Sequence, residues 1–415
     1  MHILLIHQYF LEKDDPGGSR FNEMSKVSIE EGHEVTVISG MVHYTTGKKK
    51  EKHKGRFIVR EEYENNLVVY RCHVSELYNA NFIGRMWGYF SFVFSSLICG
   101  LFCQKKKADV VLVSSPPLFV GLTGLIISKI KRIPFVFEVR DLWPESAIDT
   151  GVLKNRWLIR MAFRFEKTIY RNAALINTLT PVFQKKLTED KKVPSSKVIM
   201  IPNAADFSIA EKVQKDFDMI QFRKEKGWEN KFVVLYVGAH GVANHLMQLV
   251  DAAELLKNEN DILFVSIGDG MERDYLISET ERRGLKNILF IKSVPKTEVF
   301  RYILAADAGT SVLKKADTFK TVYSNKTFDY MSCRKPVLMA IDGVSRQLVE
   351  EADCGFFVEP ENAEDFSRKL IDYKNNPELV KRQGENGYIF ARKNFDRKVL
   401  AKTYIKSLEE LIAHV

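Results

Sequence analysis

Short runs of β-branched and aromatic residues alternate with longer amphipathic stretches along almost the whole chain. In the first half the apolar runs are Ile3–His7, Glu34–Ser39, Leu67–Cys72, Asp109–Ser114, Phe135–Val139, Ala174–Thr178 and Lys197–Ile201. In the second half they are Phe232–Val237, Ile262–Ile267, Asn287–Ile291, Gly309–Leu313, Val337–Met339 and Phe356–Val358. Buried strands that alternate with helices predict parallel sheets covered on both faces. Two such sets in series predict an α/β protein of two doubly wound, Rossmann-like domains facing a cleft. A chain of 415 residues exceeds what one core usually organises, which agrees with two. The break is expected at Ile201-Pro202-Asn203-Ala204-Ala205-Asp206, which gives domains over 1–204 and 205–385. The closing stretch 386–415 is helical by period, has no strand after it, and is expected to return to the first domain.

Composition adds one asymmetry. Apolar content of 45% and charged content of 28% are ordinary for a soluble protein. The net charge of +9 is not evenly spread: residues 1–205 hold 30 Lys+Arg against 20 Asp+Glu, and the remainder is nearly balanced. A basic first half implies an anionic partner there, or simply a soluble basic face. Nucleic acid is disfavoured, because no aromatic platform on a basic sheet is evident. Five cysteines at irregular spacing form neither a disulfide framework nor a metal set, so reduced buried thiols and a cytoplasmic location are expected. The start, Met1-His2-Ile3-Leu4-Leu5-Ile6-His7, reads as a strand rather than a signal peptide.

Two segments bear on membranes. Met86 to Gln104 carries no formal charge and includes Trp87, Tyr89, Phe90, Phe92, Phe94 and Phe102. It lies between two strands of one sheet, so a span is rejected, and the buried-core reading stands beside that of an interfacial helix. Arg156, Arg160 and Arg164 recur every four residues and form one stripe of a helix. Like charges at that spacing repel, and an anionic surface opposite them would relieve the cost. Arg20, Trp87 and the three arginines are therefore the candidate acceptor or membrane contacts, with peripheral placement on the inner face of the cell membrane.

Ligands of doubly wound domains bind beyond the carboxyl ends of the strands. Six loops there carry chemistry. Gly17 and Gly18 follow the first strand, where glycine lets backbone approach a ligand. Glu138, Arg140 and Asp141 end another strand beside Trp143 and Pro144, and are the candidate catalytic side chains. Gly238–His245 follows the first strand of the second domain; its His240, Gly241 and Asn244 suit a diphosphate, as Gly268 after the next strand and Val294 after a third suit a nucleoside. Finally, Ser324-Asn325-Lys326-Thr327-Phe328-Asp329 places a cation and free backbone N–H groups at a helix start, with a carboxylate one turn on for ribose hydroxyls. No carboxylate cluster accompanies His240 and His245, so no metal and no cofactor is expected.

These motifs resemble retaining glycosyltransferases of family 4, which have the GT-B fold. The wording of Asp14–Phe21, Arg140–Glu145 and Ser324–Met331 is closest to a bacterial O-antigen and capsule subgroup that includes L-fucosamine transferases. The resemblance implies a UDP-sugar donor, a polyprenyl-diphosphate-linked saccharide acceptor, and metal-independent transfer with retention. The chain departs from the family at three places. Thr321 stands where the first of two glutamates is usual; Ala239 and Asn244 or His245 replace the usual Arg and Lys; Arg140 replaces a frequent His. Lys326 is then the main phosphate cation and Asp141 the candidate acceptor base. A UDP-sugar epimerase of the same fold and a non-catalytic nucleotide-sugar binder are the competing readings.

Overall fold

The computed structural model describes residues 1–12, 15, 20–42, 47–64, 66–79, 82–104, 106–149 and 151–413. Gly17 and Gly18 lie outside the described residues. The chain divides into two compact units. One is built from residues up to Pro202 together with the stretch from Lys398, and the other from Asn203–Arg397.

The first unit follows the order β1 (His2–Ile6), α1 (Arg20–Glu30), β2 (Glu34–Gly40), β3 (Ile58–Glu64), β4 (Leu67–Cys72), α2 (Phe82–Ile98), β5 (Val110–Ser115), α3 (Val120–Lys131), β6 (Phe135–Val139), α4 (Arg156–Asn172), β7 (Leu175–Thr178) and β8 (Val198–Met200). Its sheet runs β3-β4-β2-β1-β5-β6-β7-β8. All pairs are parallel except β3 with β4. The antiparallel edge strand follows the basic stretch after Gly47. In that stretch Lys50, Lys52 and His53 all converge on Glu12, at 3.1, 2.6 and 3.0 Å. Burial alone would raise the Glu12 pKa, but Lys52, Lys50 and His53 hold it down at about 2.

Side chains alternate across this sheet. Leu5, Val37, Leu112 and Val136 face a layer that includes Phe21 and Met24 of α1 and Tyr404 and Leu408 of the last helix. On the other face α2 packs on α3, and α3 on β5 and α4.

The second unit runs β9 (Phe232–Val237), α5 (Met247–Leu255), β10 (Ile262–Ile267), α6 (Arg273–Arg282), β11 (Ile288–Ile291), β12 (Ala308–Val312), α7 (Asn325–Ser332), β13 (Val337–Ala340) and β14 (Gly355–Phe357). The strand order is β11-β10-β9-β12-β13-β14, all parallel. Two doubly wound α/β units are thus present. In each, the first strand sits inside the sheet and the connections turn in opposite directions on either side of it, at β1/β5 and at β9/β12. Such reversals open a crevice at the carboxyl edge.

The closing region differs from the expectation of one helix over 386–415. A helix over Pro377–Asn394 belongs to the second unit, and only α8 (Arg397–Ala413), from Lys398, belongs to the first. The interruption has a cause in packing. Phe395 is buried against Phe328, with ring centroids 4.9 Å apart, and against Tyr323. Around it the chain pairs with Ala205, through Ala205 N–H to Phe395 C=O and Arg397 N–H to Ala205 C=O.

Glu138 and Arg20 also differ from their expected roles. Glu138 is fully buried on β6 and lies 3.1 Å from the Arg20 guanidinium, with Asn177 donating to its other oxygen at 2.9 Å. Arg20 donates further to the carbonyls of Ile201 and Pro202, so it faces neither membrane nor acceptor. The pair ties α1, β6 and the end of the unit's last crossover together. Removing one member of a buried ion pair leaves an uncompensated charge. Glu138→Ala is expected to destabilise the first unit by about 3–5 kcal/mol, whereas Arg20→Met with Glu138→Leu loses much less; urea unfolding of the three proteins checks this.

Candidate active site

In the second unit four loops meet at the carboxyl edge. Their arrangement starts from α7. Tyr330 on this helix lies flat over β12, because Gly309 has no side chain there: a Cβ would stand 2.3 Å from the Tyr330 ring. The Tyr330 hydroxyl donates to Thr310 C=O at 3.2 Å and accepts from Val237 N–H at 3.0 Å. The helix is thereby fixed against both strands of the β9/β12 reversal. Its start is fixed as well, since Ser324 N–H donates to Ser345 and the Ser324 hydroxyl to Ser311. Ser324 does not cap the helix with its side chain, so the first N–H groups stay available for an anion.

Lys326, one residue into α7, reaches back over the Tyr236 ring with Nζ 4.8 Å from its centroid. Its Cε lies 3.0 Å from the place a Cβ on Gly238 would occupy. Burial pulls its pKa down to about 8, and only Asp329 acts noticeably in the opposite direction. No described carboxylate forms an ion pair with it. Asp329 is half-buried one turn further on, and burial raises its pKa against the pull of Lys296 and Arg397. Both cations are engaged with Asp206, Lys296 at 2.8 Å.

The Gly238–His245 loop leans on the Gly268–Gly270 loop. Gly268 has φ +155°, and a Cβ there would come within 1.9 Å of Gly238 C=O, so no other residue fits. His240 departs from the expected role of phosphate donor through its ring. The ring is fully buried, its Nε2 2.8 Å from the Ser266 hydroxyl, and burial followed by Arg273 lowers its pKa to about 4. It props the two loops as a neutral group. Gly241 is half-buried and Asn244 closes a turn onto it, N–H to C=O, before α5. Val294 is half-buried against the core, and its neighbour Ser293 is held by Asp269. Asn325 is exposed beside Lys326. Thr321 spends its hydroxyl on Thr318 C=O at 2.7 Å within its own turn.

Sequence reasoning passed over Arg273 and Tyr236. Arg273 opens α6 three residues after Gly270; its buried Nε has no hydrogen-bond partner among the described residues and lies 3.7 Å from the Asp269 carboxylate. Its proximity to the Gly-Asp-Gly turn was the available signal.

In the first unit the carboxyl edge carries a separate group. Asp141 follows β6, accepts from the Ser146 hydroxyl at 2.7 Å, and has its pKa raised by burial. Arg140 is half-buried beside it. His7, at the end of β1, was not singled out from the sequence. It is buried, its Nδ1 has no hydrogen-bond partner among the described residues, and burial followed by Arg140 and Arg71 keeps it neutral. Glu12, His53 and Glu61 have ligand atoms within 4.8 Å of one another. Lys50, Lys52 and Arg71 already occupy their oxygens, so this trio is an ion-pair cluster. Trp87, Arg156, Arg160 and Arg164 are all exposed.

Comparison with known proteins adds the family. Residues 18–204 match the glycosyl transferase 4-like domain, and residues 218–390 match glycosyl transferases group 1. The chain is a GT-B glycosyltransferase. It is 25% identical over 277 residues to WcaI of Escherichia coli K12, whose name assigns it to colanic acid biosynthesis, covering 66% of this chain and 67% of that one. It is 22% identical over 263 residues to an alpha-D-kanosaminyltransferase of Streptomyces kanamyceticus, covering 63% and 66%. The matches thus span about two thirds of these relatives. Among solved structures, Anabaena HepE in complex with UDP and glucose superposes with a TM-score of 0.69 at 17% identity, over 99% of this glycosyltransferase and 100% of HepE.

A desolvated lysine without a counter-ion costs stability that a neutral side chain avoids. Lys326→Met is expected to raise the thermal midpoint of the unliganded second unit by about 2–4 °C at pH 7, the equivalent of roughly 1 kcal/mol in a unit of this size. The unfolded chain binds this proton more strongly than the folded one, so the unmodified protein gains stability as pH rises from about 8. The difference between the two proteins should therefore shrink toward pH 10 in calorimetry.

Proposed function

We propose that this glycosyltransferase moves a sugar, with retention and without a metal, from a UDP-sugar to a polyprenyl-diphosphate-linked glycan. The product class is a bacterial surface polysaccharide such as O-antigen or capsule, and the donor sugar an N-acetylated deoxyhexose of the L-FucNAc type. The observation that carries the reading is Lys326 at the free start of α7, unpaired and facing Gly238 at the β9/β12 reversal. That arrangement suits a diphosphate: a cation and N–H groups placed where negative charge grows as the sugar's C1–O bond breaks. Asp329 supplies an acceptor one turn on for ribose hydroxyls. The relation to WcaI supports polysaccharide assembly, and the likeness to a UDP-bound structure supports the nucleotide.

Acceptor chemistry falls to the first unit. A new C1–O bond to the acceptor hydroxyl forms on the face that the diphosphate leaves, and the hydroxyl proton passes to the departing phosphate. Asp141 holds the acceptor hydroxyl, with Ser146 fixing the carboxylate's rotamer. Arg140 stays charged and serves an anionic part of the acceptor.

The test is a panel of nucleotide sugars offered with a polyprenyl-diphosphate saccharide, read by nucleotide release and product mass. UDP-sugar turnover that falls at least about 100-fold in Lys326→Ala, with fold retained, supports the reading; no turnover and no UDP-induced rise in melting temperature refutes it. UDP affinity should be flat below pH 8 and weaken above it as Lys326 loses its proton, approaching tenfold per pH unit. Titration calorimetry across pH 6.5–10 measures this, and the decline should vanish in Lys326→Met.

A further inference from the structure

One face of the first unit leaves large aromatic side chains in water. On α2, Trp87, Phe90 and Phe94 recur at helical spacing along one side and are 59%, 45% and 62% exposed. Phe102, in the wider turn that continues this helix, is 80% exposed. The opposite side of the same helix is committed to the core through Phe92, Val93, Ser96 and Cys99. Met86–Cys103 is long and apolar enough to cross a bilayer, but its inner side is packed on the unit.

The aromatic face does not end with α2. Phe90 meets Phe119 at 5.0 Å, and Phe119 stacks on Phe165 of α4 at 5.8 Å. Beside Phe165 on α4, Trp157, Leu158 and Met161 are exposed. The next strip of that helix carries Arg156, Arg160 and Arg164, all exposed and without an ion pair to any described residue. The one acid of α4, Glu166, is turned inward to Lys191 at 2.6 Å and does not neutralise them. Phe119 also touches Trp143 at 5.4 Å, two residues from Asp141, so the face reaches the acceptor loop.

We infer that this face, the outer sides of α2 and α4 joined through Phe119, is a docking surface for an anionic lipid bilayer. Its aromatic residues enter the headgroup–acyl boundary and its arginines pair with acidic headgroups. Charge complementarity selects this occupant. A second copy of the chain would place the same arginine stripe against itself or against the apolar strip, whereas anionic lipid matches both strips at once. This goes beyond the proposed reaction and does not depend on it.

The experiment uses the full chain with vesicles of phosphatidylcholine containing one third phosphatidylglycerol, and vesicles of phosphatidylcholine alone. The chain should float with the anionic vesicles and partition at least about tenfold less onto neutral ones, the loss growing with salt. Brominated acyl chains should quench Trp87 and Trp157, while the buried Trp228 stays bright. Phe90→Ser with Phe94→Ser, and separately Arg156→Gln with Arg160→Gln and Arg164→Gln, should each weaken binding at least about tenfold. Both alter exposed positions, so melting temperature and the UDP-induced shift are retained. No flotation, equal binding to both vesicles, undiminished binding by both variants, or a dimer in solution that the Phe variant dissociates would overturn the inference.

Discussion

The contact of one tyrosine with one glycine organises the second unit of this protein. Tyr330 can lie over β12 only because Gly309 presents bare backbone, and its hydroxyl then bonds to both β12 and β9. A helix held this way cannot slide or roll without breaking two buried hydrogen bonds, each worth ~1 kcal/mol or more. The position of Lys326 follows, and with it the direction of the free N–H groups at the start of α7. The geometry of this carboxyl edge is therefore set from the core outward.

Buried charges fall into two kinds. In the first, buried charge is compensated: Arg20 with Glu138, and Glu12 with Lys50, Lys52 and His53. These groups hold loops and crossovers and leave little for a ligand to gain. In the second, Lys326 is desolvated and uncompensated, while His240 is kept neutral. Groups left wanting a partner are the ones poised for chemistry. The same contrast separates apolar side chains. Full burial of a Phe is worth about 1.5–3 kcal/mol, and α2 with the turn that continues it forgoes most of that at Phe94 and Phe102.

Much of this was legible in the sequence because strand and helix periods are local. The parallel strands, the helix start at Ser324–Lys326 and the arginine stripe of α4 all stand out from spacing alone. What failed was non-local. Glu138 and Arg20 read as site residues because each ends or begins an element at the carboxyl edge, yet they bond to each other across 118 positions of chain. His240 sits in a loop whose composition suits a phosphate, but Ser266 on a neighbouring strand draws its ring inward. The break between the last two helices depends on Phe395 finding Phe328 and Tyr323, which no helical period reports. β3 is an edge strand, half charged, and its residues carry no buried-strand pattern.

The uncompensated ammonium at Lys326 has a bearing on the life of the polypeptide in the cell. Under the proposed function, an empty copy carries a burden that an occupied copy sheds, so nucleotide-sugar scarcity enlarges the fraction that opens and meets proteases. Precursor supply would then govern how many enzyme molecules persist as well as how fast each one works.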